Sequence, residues 1–132
     1  MIYTLKIITK SRTDLIDITH EIQSTVTKSN IKNGLCVLYV PHTTAGMFIN
    51  ENADPSVRAD ISKMLDRLIP WKADYQHIEG NSAAHIKSIL TGSSIYVIID
   101  NGKLILGTWQ GIFFAEFDGP RERTIKIKIL EG

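Results

Sequence analysis

Hydrophobic and polar residues alternate from Ile2 to Thr9, with Tyr3, Leu5 and Ile7 on one face, and this period of two predicts a strand. Leu15 to Ile18 predicts a second, shorter one. Thr19 is placed to cap a helix that carries Ile22 and Val26 four apart and ends before Gly34. The run GLCVLYV is apolar on both faces, which predicts a central strand covered on each side, and GMFIN is expected to return beside it. Asp54-Pro55 is a helix start, because the aspartate caps free N–H groups and proline suits the first helical position. Val57, Ile61, Met64, Leu65 and Leu68 then fall on one helical stripe, stopped by Pro70. A shorter helix is predicted from about Asn81 to Leu90, with Ala83, Ile86 and Leu90 inward and Gly92 closing its C-terminus.

The last third reads as β structure. In SIYVIIDNGKLILG, Asn101-Gly102 separates two apolar runs, the signature of a type I′ hairpin whose two central residues need positive φ. WQGIFFAEFDG and RTIKIKIL follow, the latter alternating isoleucine with lysine and so predicting one wet face. Strands with two or three inserted helices argue for an α+β domain of largely antiparallel sheets. There is no internal repeat and no linker, so residues 1–132 read as one domain.

A chain of 132 residues can bury roughly two-thirds of the surface exposed by its unfolded form. Its 22% charged residues and net charge of +1, with both signs spread along the chain, leave no basic stripe for a nucleic acid. The N-terminus lacks a basic segment followed by an apolar one, and no apolar run has membrane-spanning length. A cytoplasmic location with no membrane partner is therefore expected. The single cysteine, Cys36, lies within an apolar strand and reads as an inert thiol.

Polar groups placed where apolar ones are expected carry the functional signal. Period two puts Phe113, Ala115 and Phe117 on one face of their strand and Ile112, Phe114, Glu116 and Asp118 on the other. Buried carboxylates need a cation, and Arg121 and Arg123 beyond the Gly119-Pro120 turn are the nearest, either as structural partners or as part of an anion or metal site. Asn81, His85 and Ser88 share a polar face of the short helix, His77 precedes it, and His42 follows Pro41 at the rim of the sheet. Two histidines eight apart do not match the tight pair of a helical zinc motif. The familiar nucleotide-binding glycine loops and the serine-hydrolase elbow are absent.

Three blocks, VPHTTAGMFINENADPSVRAD, HIEGNSAAHIKSILTG and GKLILGTWQGIFFAEFDGPRER, together resemble the YjbQ-like family of small uncharacterised proteins, along nearly the whole chain. The resemblance implies a β-sandwich with flanking helices that forms a homotrimer around a threefold axis, with the polar blocks meeting at one site near a subunit boundary. It implies catalytic roles for His42, Glu51, Asp54, His77 and His85. Substrate contacts would come from Thr43, Thr44, Asn50, Asn52, Asn81, Trp109, Gln110, Glu116, Asp118, Arg121 and Arg123. Phe48 stands where a smaller polar residue is usual in the family, which implies a narrower pocket wall.

Members of that family have been linked to a secondary thiamine-phosphate synthase activity, joining a pyrimidine diphosphate to a thiazole phosphate with release of pyrophosphate. Such chemistry stabilises a charged leaving group with guanidinium, imidazole or a divalent ion. His42, His77 and His85 would suit zinc, whereas a carboxylate-rich site would suit magnesium. The alternatives are a non-catalytic trimer that binds a phosphorylated metabolite, and a metal-dependent hydrolase.

Overall fold

The computed structural model describes all 132 residues. The chain runs β1 (Ile2–Ile8), β2 (Asp14–Asp17), α1 (Thr19–Ser29), β3 (Gly34–Tyr39), β4 (Ala45–Glu51), α2 (Pro55–Leu68), α3 (Ser82–Thr91), β5 (Ser94–Asp100), β6 (Lys103–Leu104), β7 (Gln110–Glu116) and β8 (Glu122–Glu131). Five strands form one antiparallel sheet in the order β1-β8-β3-β5-β6, and three form a second in the order β2-β7-β4. The fold class is α+β, as expected.

The main core lies between the sheets and α1. Ile7, Cys36, Leu38, Val97, Ile99, Ile125 and Ile127 from the large sheet meet Met47, Ile112 and Phe114 from the small one, with Ile22 and Val26 of α1. A second cluster, Leu15, Ala84, Ala115 and Phe117, forms beneath the helices, with Ile61, Leu65 and Trp71 packed against it. The period-two reading of β7 therefore holds, because its alternate residues feed different cores. Phe48 stacks on Phe113 with ring centroids 5.1 Å apart and so belongs to the packing under the helices.

Some local signals work as read. The Asp54 side chain accepts from the Ser56 N–H at 2.9 Å and starts α2, and Asn101 and Gly102 have φ of 51° and 78° in the β5–β6 turn. Others are corrected. Ile18, not Thr19, occupies the cap position of α1, and the Thr19 hydroxyl instead accepts from the Ile112 N–H at 2.8 Å. The helix stops at Asn30, which takes the left-handed conformation.

Strand β3 is central, but within the chain only its inner face is covered. Cys36 and Leu38 are buried while Leu35 and Tyr39 are exposed. It is β7 that is covered on both sides. Strand β4 does not return beside β3, because the link after Pro41 carries the chain to the other sheet, where β4 pairs with β7.

Helix α3 buries Ala83 as expected but turns Ile86 and Leu90 outward. Ala83, Ala84, Lys87 and Ser88 are buried, whereas Ile86, Ile89 and Leu90 are exposed. The end of the helix lies close against β4. A Cβ on Gly46 of β4 would lie 2.1 Å from Thr91 Oγ1 and 2.8 Å from the Gly92 carbonyl oxygen, so residue 46 has no room for a side chain. The Ser88 hydroxyl donates to the Ala45 carbonyl at 2.7 Å, and buried Lys87 reaches out to Asp66 of α2.

Candidate functional site

The segment from Val40 to Thr44 links the large sheet to the small one, so the His42-Thr43-Thr44 block lies where the two sheets are joined. Two successive residues of β8 hold it. The Arg123 guanidinium donates through Nη2 to Thr44 Oγ1 at 2.7 Å and to the Thr44 carbonyl at 3.3 Å, and the Thr124 N–H donates to His42 Nε2 at 3.0 Å. Arg123 itself forms a bidentate pair with Glu116 of β7, at 2.8 Å from Nε to Oε1 and 2.5 Å from Nη2 to Oε2. Glu116 also accepts from the Thr9 hydroxyl and from the Asp118 N–H, both at 2.9 Å. Every oxygen of this buried carboxylate is thus engaged, which is the condition for a buried pair to be tolerated.

The charges follow from these contacts. Burial acts to raise the Glu116 carboxyl, but the Arg123, Asp118 and Thr9 hydrogen bonds outweigh it and hold the group below its ordinary range. Burial, helped by the positive charge of Arg123, pushes the His42 imidazole down. With Nε2 accepting from an amide, the neutral ring carries its proton on Nδ1. Burial raises the Cys36 thiol to about 11, consistent with an inert side chain.

His42 and Thr43 form one wall of a cleft of about 440 Å³ whose other residues are His85, Ser88 and Ile89 of α3 and Gly92 and Ser93 just beyond it. The His77 ring meets His85 edge-on, with centroids 5.5 Å apart. Near the start of α3, Asn81 Nδ2 donates to Asp118 Oδ2 at 2.9 Å, and Asn81 Oδ1 is buried without a partner. Arg121 donates to the same carboxylate oxygen at 3.1 Å and through Nε to the Asp118 carbonyl at 2.9 Å.

The remaining residues read as site candidates lie elsewhere. In the β4–β7 register Ala45 faces Glu116 at one end, while Glu51 faces Gln110 at the other. Seven strand residues separate the ends by roughly 20 Å. Asn50, Glu51, Asn52, Asp54, Trp109 and Gln110 are therefore not brought to the histidine cleft within the chain. Asn52 instead donates to Asp17 Oδ2 at 3.1 Å, Asn50 Oδ1 accepts from the Glu51 N–H, Asp54 caps α2, and Gln110 Oε1 accepts from the Gly107 N–H. Trp109 is exposed.

Three expected contacts change character. Glu116 and Arg123 are buried and committed to each other and to Thr9, Thr44 and the Asp118 amide, and Thr44 is buried, so all three support the cleft and do not line it. Phe48 likewise packs in the core and narrows no pocket wall. A shared metal does not fit the three imidazoles: a cation on His42 Nδ1 would force a proton onto Nε2 against the Thr124 N–H. No three histidine, cysteine or acidic side chains are grouped to hold a metal, whether zinc on imidazoles or magnesium on carboxylates. Ser93 and the Thr124 amide were invisible in the sequence. Ser88 was signalled by its place on the Asn81-His85 face.

A family model described as UPF0047 protein YjbQ-like matches residues 3–132. The chain belongs to the YjbQ/UPF0047 family. A UPF0047 protein of Methanocaldococcus jannaschii is 56% identical over 98% of this chain and 94% of its own length, and YugU of Bacillus subtilis is 51% identical over 98% and 99%. A crystal structure of an uncharacterised YjbQ/UPF0047 protein from Clostridium acetobutylicum matches with a TM-score of 0.95 at 52% identity, covering 97% of this chain and 99% of that one. A protein of unknown function from Sulfolobus solfataricus, also with a TM-score of 0.95, is 34% identical and covers 100% and 97%. These proteins share this fold at 34% and 52% identity, and no helix in this chain is long and apolar enough to cross a membrane.

Proposed function

We propose that the histidine cleft is an active site for a phosphorylated small molecule, and that its reaction is of the thiamine-phosphate synthase type. In that reaction the thiazole ring nitrogen forms a bond to the pyrimidine methylene carbon, and pyrophosphate leaves with the electron pair of the broken C–O bond. The observation that carries the reading is the convergence of two imidazoles with the Thr43 and Ser93 hydroxyls on one cleft, braced from behind by a buried ion pair. Neutral donors fixed in place stabilise a departing oxyanion without reorganisation. Since Arg123 is buried, Arg121, with about half of its side chain exposed, is the guanidinium left to meet phosphate.

The working unit in this proposal is a homotrimer. Its support is the apolar surface left open: Leu35, Tyr39, Tyr96, Ile98 and Leu130 on the outer face of the large sheet, and Ile86, Ile89 and Leu90 on α3. Assembly would also allow the Asn50–Asp54 block of one subunit to approach the histidine cleft of another. Analytical ultracentrifugation checks this, and a monomer at micromolar concentration overturns it.

Titration calorimetry with thiazole phosphate, the pyrimidine diphosphate and pyrophosphate, followed by a turnover assay, tests the enzyme. Formation of thiamine phosphate at a rate abolished by His85→Ala supports it. Saturable binding without turnover would replace it with a metabolite-binding protein.

A further inference from the structure

The β3–β8 register pairs Tyr39 with Lys126, and two residues further on it would place Pro41 opposite Thr124. There β3 has already left the sheet. The Thr124 N–H, facing the vacated edge, meets the imidazole of His42 at 3.0 Å instead of a strand carbonyl. An imidazole nitrogen has therefore taken the place of a backbone acceptor, and a buried or edge N–H without such a partner would cost stability.

We infer that His42 serves the cleft as a neutral hydrogen-bond donor through Nδ1, held in that tautomer by the backbone amide of Thr124. The inference deepens the reading above and rests on the cleft being the ligand site. An N–H donor facing Nε2 leaves room for only one proton arrangement: Nε2 bare and Nδ1 protonated. Any ligand atom that hydrogen-bonds to His42 must then be an acceptor, such as a ring nitrogen, a carbonyl or a phosphate oxygen. The ring is unsuited to remove a proton, because accepting one would place two N–H groups face to face. The block is also pinned at its other end, where Arg123 holds Thr44 on both its hydroxyl and its carbonyl, so Arg123 and Thr124 act as positioning residues. Proton transfer in the cleft falls to His85, which lines the same space.

Nitrogen-15 NMR of the imidazoles in the ligand-free protein reads the tautomer directly. A pyrrole-type Nδ1 and a pyridine-type Nε2 on His42 are expected; a proton on Nε2 overturns the inference. Thr124→Pro, which removes the amide proton, is expected to release that preference, and an unchanged ring spectrum would mean that the amide is not the lock. For the cleft itself, affinity for the pyrimidine diphosphate is compared in His42→Gln and His42→Leu. Glutamine offers an acceptor to Thr124 and a donor to the ligand, so it should bind within about threefold of the native protein, whereas leucine should lose about tenfold. Equal losses in both would overturn the donor role. If the native protein binds none of the probes, the proposed function fails, and the NMR result still stands or falls alone.

Discussion

Two ion pairs lie side by side at the β7–β8 turn and differ in nearly every physical respect. Glu116 and Arg123 have 0% and 4% of their side chains exposed, whereas Asp118 and Arg121 have 20% and 49%. The chemistry is the same and the solvent is not. Water screens the outer pair, which is worth on the order of 1 kcal/mol or less and can exchange partners. The inner pair bridges the two sheets, with its charges committed to each other and to Thr9 and Thr44. One acid-base couple is thus framework and the other stays open to solvent, although alternation along the strand places both acids on one face.

The largest expected effect comes from opening the inner pair. Arg123→Met leaves the Glu116 carboxylate buried without its cation and should cost about 3–5 kcal/mol in denaturant unfolding. A loss below about 1 kcal/mol would show that the pair is no more than a surface contact. Next, the double replacement Glu116→Gln with Arg123→Met removes both charges and should recover much of that loss. Simple addition of the two single losses would deny the coupling.

A smaller effect lies in the pH dependence. The folded Glu116 carboxyl titrates below its ordinary value, so the stability it contributes is present above about pH 4.5 and is lost as pH falls through the folded value. Glu116→Gln should flatten that acid limb, and an unchanged limb would assign it to other groups. The smallest change is expected from Asp118→Asn, at about 1 kcal/mol or less and diminished by salt. A loss equal to that of Arg123→Met would erase the distinction between the pairs.

Much of this was legible where the cause is local. The Asp54 cap, the Asn101-Gly102 hairpin and the two faces of β7 follow from a few neighbouring residues. What failed depends on which surfaces meet. Nothing within GLCVLYV says that one of its faces stays open, and nothing within α3 says that its end will lie against Gly46 of another strand. Strand length limits the site in the same way: His42 lies at the rim that its place after Pro41 predicts, but the seven residues of β4 carry Asn50 and Glu51 to the far end of that strand. The hydrogen bond to the His42 imidazole comes from a backbone amide, which no side-chain pattern announces.

That bond makes Thr124 a clock. Because a single imidazole nitrogen completes the hydrogen bonding of β8 where β3 departs, deuterium can enter that amide once the His42 ring turns off it or the β3–β4 link swings away. Its exchange rate would report how much of the time the cleft wall stands open, and a ligand that holds the wall shut would slow it.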